Sequence, residues 1–411
     1  MHHNTIHHSI LISGASIAGL TLAHWLGRYG FEVTVVERAP APRPGGQAVD
    51  LRGVAKEVAE RMGVLPAIER ARVHERGLAY VDAAGKWKAS MAAELWDGEG
   101  AVAEIEILRG DLTDILHASA RNGVEYLFDD SITELRETSD GVVVDFQRTA
   151  SRVFDLVVGA DGLHSNVRKL AFGPESEFVH HLGAYLAYFT VPVEGLQLED
   201  WFLMHNAPGG LLAAIRPEGP NSAKAMFGFT ATDLVYDRHD QAGQQRILRE
   251  RFAEMGWHTP RLLSSMDQAP DFFFDSISQA RIDQWSRGRV VLIGDAGYCG
   301  SPLSGNGTAM AMVGAYVLAG ELARSRDDYS TAYARYQEVL RPYVTECQKL
   351  PPGGVNGFLP AGRAAIAIRN LSVRAMTSAP LRALMAKTLQ KADTISLTDY
   401  REFESVAAEH R

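Results

Sequence analysis

The sequence predicts an α/β fold: a largely parallel sheet with helices, a second and mostly antiparallel sheet inserted into it, and closing helices. Three observations carry this reading. Short apolar runs at residues 10–12, 154–159 and 290–293 suit strands buried on both faces. Each run ends in a glycine turn followed by a helical pattern. Between residues 172 and 280 the pattern changes to longer strand-like pieces, with one helix at 242–255.

The first of these turns organises the chain. Gly14-Ala15-Ser16-Ile17-Ala18-Gly19 follows the strand at 10–12, and Leu20, Leu22, Ala23 and Leu26 then recur at helical spacing up to Gly30. Val33 to Val36 is β-branched and ends at Glu37. Gly14 lets the backbone turn out of the strand, and Gly19 lets the helix pack closely on the sheet. The N–H groups and dipole of the helix start can hold a pyrophosphate. Glu37 lies 18 residues beyond Gly19, near the spacing at which a carboxylate accepts from an adenosine ribose. Ser16 stands where the middle glycine of such turns falls, and its hydroxyl can donate to phosphate. The stretch predicts a dinucleotide site.

Further along, 38–46 reads as loop, 47–51 as a short strand and 54–62 as a helix. Residues 77–81 and 87–89 suggest a hairpin. Residues 104–108 alternate, and Arg109 opens a helix to about Ala120, with Asp111 as its N-cap. Residues 125–128, 132–137 and 142–146 read as three antiparallel strands. A short helix follows at 165–171. In the inserted part, strands are expected at 182–191, 201–204, 211–216, 225–230 and 272–277. Helices are expected at 308–324, 329–349 and 361–392, the last broken near Pro380. The expected division is 1–171 and 281–325 for the nucleotide-binding part, 172–280 for a substrate-binding sheet and 326–411 for a helical segment.

Composition narrows the class. The chain has 411 residues, 46% hydrophobic and 22% charged, as in a soluble globular protein of two or three domains. A net charge of −9 argues against nucleic acid or an anionic membrane as partner. Cys299 and Cys347 are the only cysteines, which fits a reducing cytoplasm. No signal-peptide pattern and no stable membrane insertion are expected. His2, His3, His7 and His8 are interrupted and precede the first strand, so they read as a frayed terminus rather than a metal site.

Three more turns join the first. Residues 159–168 (GADGLHSNVR) form a strand end, an acidic turn and a helix start. Arg109 opens another helix. Gly294-Asp295-Ala296-Gly297, Pro302 and Gly305-Asn306-Gly307-Thr308 form a strand end, a loop and a glycine-rich helix start. Together, in this order and across almost the whole chain, the four resemble the class A flavoprotein monooxygenases, the family of para-hydroxybenzoate hydroxylase. Within it the chain is most similar to the tetracycline-inactivating monooxygenases and the hydroxylases that tailor aromatic polyketides.

The resemblance implies a Rossmann-like FAD-binding fold of the GR2 type. It implies that Gly14, Ala15, Ser16 and Gly19 cradle the FAD pyrophosphate, with Glu37 on the ribose and Arg38 along the adenine. Arg109 would brace the ribityl and phosphate region, and Asp295 would bond the ribityl chain. Asp161 belongs to a motif linked to FAD and NAD(P)H, and Asp50 and Arg43 match positions that touch both cofactors. Gly305, Asn306 and Gly307 start a helix whose positive end can stabilise a reduced flavin. Tyr298, Asn306 and Thr308 differ from the family's usual His, Gln and Asn, beside the expected flavin ring. Bland readings stay open: Asp161 as a cap for the helix at Ser165, Arg109 as a surface cation beside Asp111, Arg168 as a solvated helix-end residue.

The implied reaction is reduction of FAD by NAD(P)H, with Arg38 and Arg43 favouring NADPH. Reduced flavin and O2 then give a C4a-hydroperoxide, which passes one oxygen atom to an aromatic or polyketide-type small molecule. The cofactor carries this chemistry, so no catalytic side chain is expected. Tyr188, Met226, Phe202 and Arg216 are the expected substrate contacts, with His205 a further polar candidate. Strand alternation lets only about half of the aromatics at 185–229 face a pocket; the rest would be sheet core. The alternatives are another flavin oxidoreductase on this scaffold, a halogenase or reductase, or a non-enzymatic flavin-binding protein. Nothing in the sequence sets the oligomeric state.

Overall fold

The computed structural model describes residues 8–42, 45–93, 105–232, 234–377 and 395–404. Arg43, Pro380, His2, His3 and His7 lie outside them.

The first apolar run forms the strand Ser9–Ser13 at the middle of a six-stranded sheet. Glu32–Glu37 and Leu156–Gly159 flank it in parallel, and Val124–Phe128 and Val290–Leu292 pair in parallel outside those. A short antiparallel strand, Ser286–Arg287, closes one edge. Ile10, Leu11, Ile12, Val157, Val158, Val291 and Leu292 are wholly buried, as a sheet covered on both faces requires. The helices Ile17–Arg28 and Gly307–Ser325 join this core. So does a three-stranded antiparallel sheet, Ile132–Glu137, Val142–Phe146 and Arg152–Phe154.

Two details differ from the expectation. Val124–Phe128 is not part of the antiparallel group; it is the parallel edge strand beside Glu32–Glu37. An edge strand half-covered on one face carries the same alternation as an antiparallel one. The apolar run 154–159 is also two strands, broken at Asp155, whose carboxylate accepts from the Ser9 N–H at 2.7 Å and the Ser9 hydroxyl at 2.9 Å.

The second sheet has seven strands, in the order Phe272–Ala280, Val179–Pro192, Ser222–Thr230, Leu211–Pro217, Trp201–Ala207, Gly77–Val81 and Trp87–Ala92. The hairpin at 77–92 therefore extends the sheet beyond 172–280. It joins through the sheet's single parallel pairing, Trp201–Ala207 with Gly77–Val81. The back face packs Tyr185, Phe189, Phe227 and Phe229 against the helices Gln241–Phe252 and Thr259–Ser265. The front face carries Leu186, Met204, Leu212 and Met226, and packs on Leu303 of the turn that precedes Gly305. A two-stranded ribbon, Ala48–Leu51 with Ile105–Leu108, completes the sheets. The chain continues in the helices Tyr329–Cys347, Gly354–Phe358 and Arg363–Met376; a break near Pro380 lies outside the described residues.

Candidate active site

Strand ends and the starts of the helices Ile17–Arg28, Arg109–Ser119, Asp295–Tyr298 and Gly307–Ser325 meet at one crevice, on the carboxyl side of the parallel sheet. At the first turn, Gly14 has φ +108°, and a Cβ there would stand 2.5 Å from the Ala160 carbonyl oxygen. A Cβ on Gly19 would stand 2.0 Å from the Gly14 carbonyl oxygen. Only glycine serves at either position. Ser16 precedes the helix Ile17–Arg28 without capping it, and its hydroxyl accepts from Arg109 Nη2 at 2.8 Å. Glu37 accepts from the Ala15 and Ala39 N–H groups, each at 2.9 Å.

Arg109 opens the helix Arg109–Ser119, and its N–H donates to the Gln47 carbonyl at 3.1 Å. Asp295 opens the short helix Asp295–Tyr298 after Gly294. A Cβ on Gly294 would meet the Ala18 side chain at 2.9 Å, so this loop is pressed onto the first helix. The Asp295 side chain is open to solvent while protein surrounds the carboxyl closely. That crowding raises its pKa, and the Cys299 thiol and then the Arg109 guanidinium draw it back down. Gly305 takes a left-handed φ of +67° just before the helix Gly307–Ser325. Asp50 Oδ2 lies 3.9 Å from where a Gly305 Cβ would be, and Gly307 has open space before it. Gly14, Ala15, Ser16, Gly19, Glu37, Arg109, Asp295, Gly305 and Asp50 are thus brought together. Two positions where any Cβ would strike backbone, a helix start whose serine does not cap its own N–H groups, and one guanidinium suit a dinucleotide.

Other expected residues sit differently. The Asp161 backbone lies against Gly14. Its carboxylate, however, accepts from the Asn166 N–H at 2.8 Å, the Val167 N–H at 3.0 Å and the Ser165 hydroxyl, so the side chain caps the helix Asn166–Ala171. Arg38 is exposed just beyond Glu37. The Asn306 amide donates to the Ser304 and Cys347 carbonyls at 3.0 and 3.3 Å. Tyr298 turns its ring into the core: it is 1% exposed, tilted against Trp285 and hydrogen-bonded to the Tyr336 hydroxyl, with its own hydroxyl in the space that Gly314 leaves. Thr308 is likewise buried.

On the second sheet, Tyr188, Phe202 and Met226 share the front face with Leu303. Arg216 lies over the Phe202 ring, 5.4 Å from its centroid. His205 points the other way: it is buried on the back, with Nδ1 3.1 Å from the Val81 carbonyl and Trp257 beside it. Alternation from Phe202 explains this.

Sequence reasoning missed four functional-looking groups. The Arg216 guanidinium donates to Glu75 and, at 2.6 Å, to Glu106. Glu106 interrupts the apolar strand Ile105–Leu108, the one signal that marked it. Burial pushes its pKa up to about 8 against the pull of Arg216. Arg168 is not solvated. It is wholly buried, donates to the Ala296 carbonyl at 2.9 Å and to Leu163, and so ties the Asp161 turn to the Asp295 turn. His164 bridges Glu175 and Asp275, at 3.0 and 2.8 Å, joining this turn to the second sheet. Among the described residues no helix is long and apolar enough to cross a membrane, and no group of three or more His, Cys, Asp or Glu residues is placed to hold a metal ion.

The family described as "FAD binding domain" matches residues 7–349. An uncharacterised protein of Mycobacterium tuberculosis is 46% identical over 86% of this chain and 95% of its own length. A flavin-dependent monooxygenase of Legionella longbeachae is 40% identical over 83% of this chain and 87% of its own. The crystal structure of tetracycline destructase Tet(51) superposes with a TM-score of 0.80 at 35% identity, covering 96% of this chain and all of that one. The chain belongs to the FAD-binding-domain family, as a class A flavin-dependent monooxygenase related to the tetracycline destructases.

Proposed function

We propose that the protein is an NAD(P)H-using hydroxylase of an aromatic or polyketide-type ring, with the ring bound between the crevice and the front face of the second sheet. The observation that supports this most is that Leu303, two residues before Gly305, packs with Tyr188, Phe202 and Met226. The cofactor crevice and an aromatic-lined surface therefore share a wall.

FAD, when bound and reduced, would activate O2, one atom of which passes to the substrate while the other leaves as water. The chain's own residues bind and orient. The first turn, with Gly14, Ala15, Ser16 and Gly19, would take the pyrophosphate on backbone N–H groups, with Arg109 beside it. Glu37 would accept from the ribose, and Asp295 from the ribityl hydroxyls. Gly305 to Gly307 would present a helix start to the ring system, where the dipole favours negative charge. Tyr188, Phe202, Met226 and Arg216 would contact the substrate. Arg38, exposed at the strand end, gives a reason to favour NADPH, and Cys299 and Cys347, both buried and neither in a disulfide, suit the reducing cytoplasm. Residues 172–280, with the hairpin at 77–92, would act as the substrate-binding unit.

The test is a panel of phenols and polyketide rings against the FAD-loaded protein, read by NADPH oxidation, O2 uptake and product mass. Ring-stimulated NADPH oxidation with a gain of one oxygen atom is expected. Flavin-bound protein whose NADPH oxidation no ring stimulates would overturn the reading.

A further inference from the structure

We infer that the substrate face is built to take an uncharged ring and to reject a carboxylated one, because Glu75 and Glu106 neutralise Arg216 within the protein. The inference rests on the proposed substrate face and names the charge class it admits.

Arg216 is a cation set directly against the aromatic front-face residues: it lies over Phe202 and influences the Tyr188 phenol. In a pocket for an aromatic acid, such an arginine would pair with the substrate carboxylate. Here two protein carboxyls hold it. The Glu75 and Glu106 side chains are 1% and 5% exposed, and both bond the guanidinium. Burial pushes both carboxyls up, Glu106 to about 8, which favours one retained proton near neutral pH. Asp50, close enough to influence both, is itself paired with Arg52 at 2.8 Å. With three carboxyls around two guanidiniums, the cluster is neutral when one proton is kept and negative when it is lost.

The neighbouring cation repeats the pattern. Lys224 is the cross-strand partner of Arg216, and it is paired with Asp271 at 2.6 Å and Glu218 at 3.3 Å. Burial pushes the Tyr188 phenol up to about 12, so it stays a neutral hydrogen-bond donor. Arg369, on the helix Arg363–Met376, differs: it lies over the Tyr80 ring and donates to Asn206 Oδ1 at 3.0 Å, but no carboxylate among the described residues pairs with it and its buried Nη1 has no hydrogen-bond partner, so the R369M variant is the control for an anion held there. A ligand carboxylate beside Arg216 and Lys224 would thus be desolvated next to carboxyls that already hold both cations, a repulsive element of the kind that sets specificity.

The experiment compares 6-hydroxy-2-naphthoic acid with its methyl ester on the FAD-loaded protein, by flavin absorbance perturbation and stimulated NADPH oxidation at pH 7.5. The ester is expected to bind at least tenfold more tightly. In the E75Q and E106Q variants the ratio should shift at least fivefold toward the acid; either variant suffices if the other does not fold. An acid that binds wild type as tightly as the ester overturns the inference and leaves the monooxygenase reading intact. If that binding is lost in R369M, Arg369 is the anion anchor. Failure of both rings to perturb the flavin removes the aromatic-substrate reading and this inference with it.

Discussion

The crevice and the front face of the second sheet both carry charged side chains, but they use them in opposite ways. In the crevice, apart from the Asp50–Arg52 pair, charge is held by backbone and hydroxyl groups or faces solvent. Glu37 sits on two N–H groups, Arg109 reaches a serine hydroxyl, and Asp295 is solvent-accessible. On the front face, charges hold one another: Arg216 with Glu75 and Glu106, Lys224 with Asp271 and Glu218. The first arrangement leaves charge for a ligand that is itself charged. The second fixes shape and leaves an electrically quiet wall, suited to an apolar ring.

The sharpest way to break this contrast is to remove one arginine from each region. R216M strands two buried carboxyls. Loss of one partner of a buried pair costs about 3–5 kcal/mol, so R216M should lower the urea midpoint strongly even with FAD in excess. R109M would remove the charge-assisted contact proposed for FAD, worth about 1.5–3 kcal/mol. It should weaken FAD roughly 10- to 100-fold in a fluorescence titration, while the flavin-free protein unfolds near wild type. If the two variants exchanged phenotypes, the contrast would be wrong.

The first turn was legible because its physics is local. Gly14, Gly19 and Glu37 act within one strand–helix–strand unit, and each constraint, a Cβ clash or an acid at a strand end, shows in residue type and spacing. Asp295 and Gly305 were legible for the same reason. The rest depends on partners far along the chain. Asp155 breaks an apolar run because Ser9 satisfies it. Arg168 is buried because the Ala296 carbonyl waits for it. Glu106 reads as one acid in a strand until Glu75 and Arg216 arrive from other segments. Tyr298 stands at a position expected near the flavin, yet the absent side chain of Gly314 opens a slot in the core for its hydroxyl.

A pH series tests the front face alone. The Glu106 carboxyl is raised to about 8, first by burial and then by its acidic neighbours, against Arg216. For a group raised above its unfolded value, the contribution to stability is fully present below the unfolded pKa, about 4.3, and is lost as pH rises through about 8. Wild type should therefore lose stability between these limits through this group. E106Q keeps a neutral hydrogen-bonding side chain and should not. The stability of E106Q relative to wild type should rise from pH 5.5 to pH 8.5 in urea denaturation. A constant difference would mean that Glu106 stays ionised throughout, and the neutralised cluster would have to be redrawn with a net negative charge.

The smallest effect tests how the two regions are joined. His164 on the crevice side reaches Asp275 on the second sheet and Glu175 below it, and Tyr236 donates to the same Asp275 at 3.2 Å. Burial would lower the imidazole pKa, but hydrogen bonds and charge from Asp275 and Glu175 outweigh it and raise it. The stabilisation from this histidine is then complete below its unfolded pKa, about 6.5, and fades as pH climbs through the raised folded value. H164N should cost about 1 kcal/mol at pH 6 and markedly less at pH 9, read as a Tm difference at the two pH values. An equal penalty at both would mean that a neutral hydrogen bond joins the regions. A penalty confined to low pH would mean that the electrically quiet sheet is anchored to the crevice by the one kind of ion pair its substrate face avoids offering to a ligand.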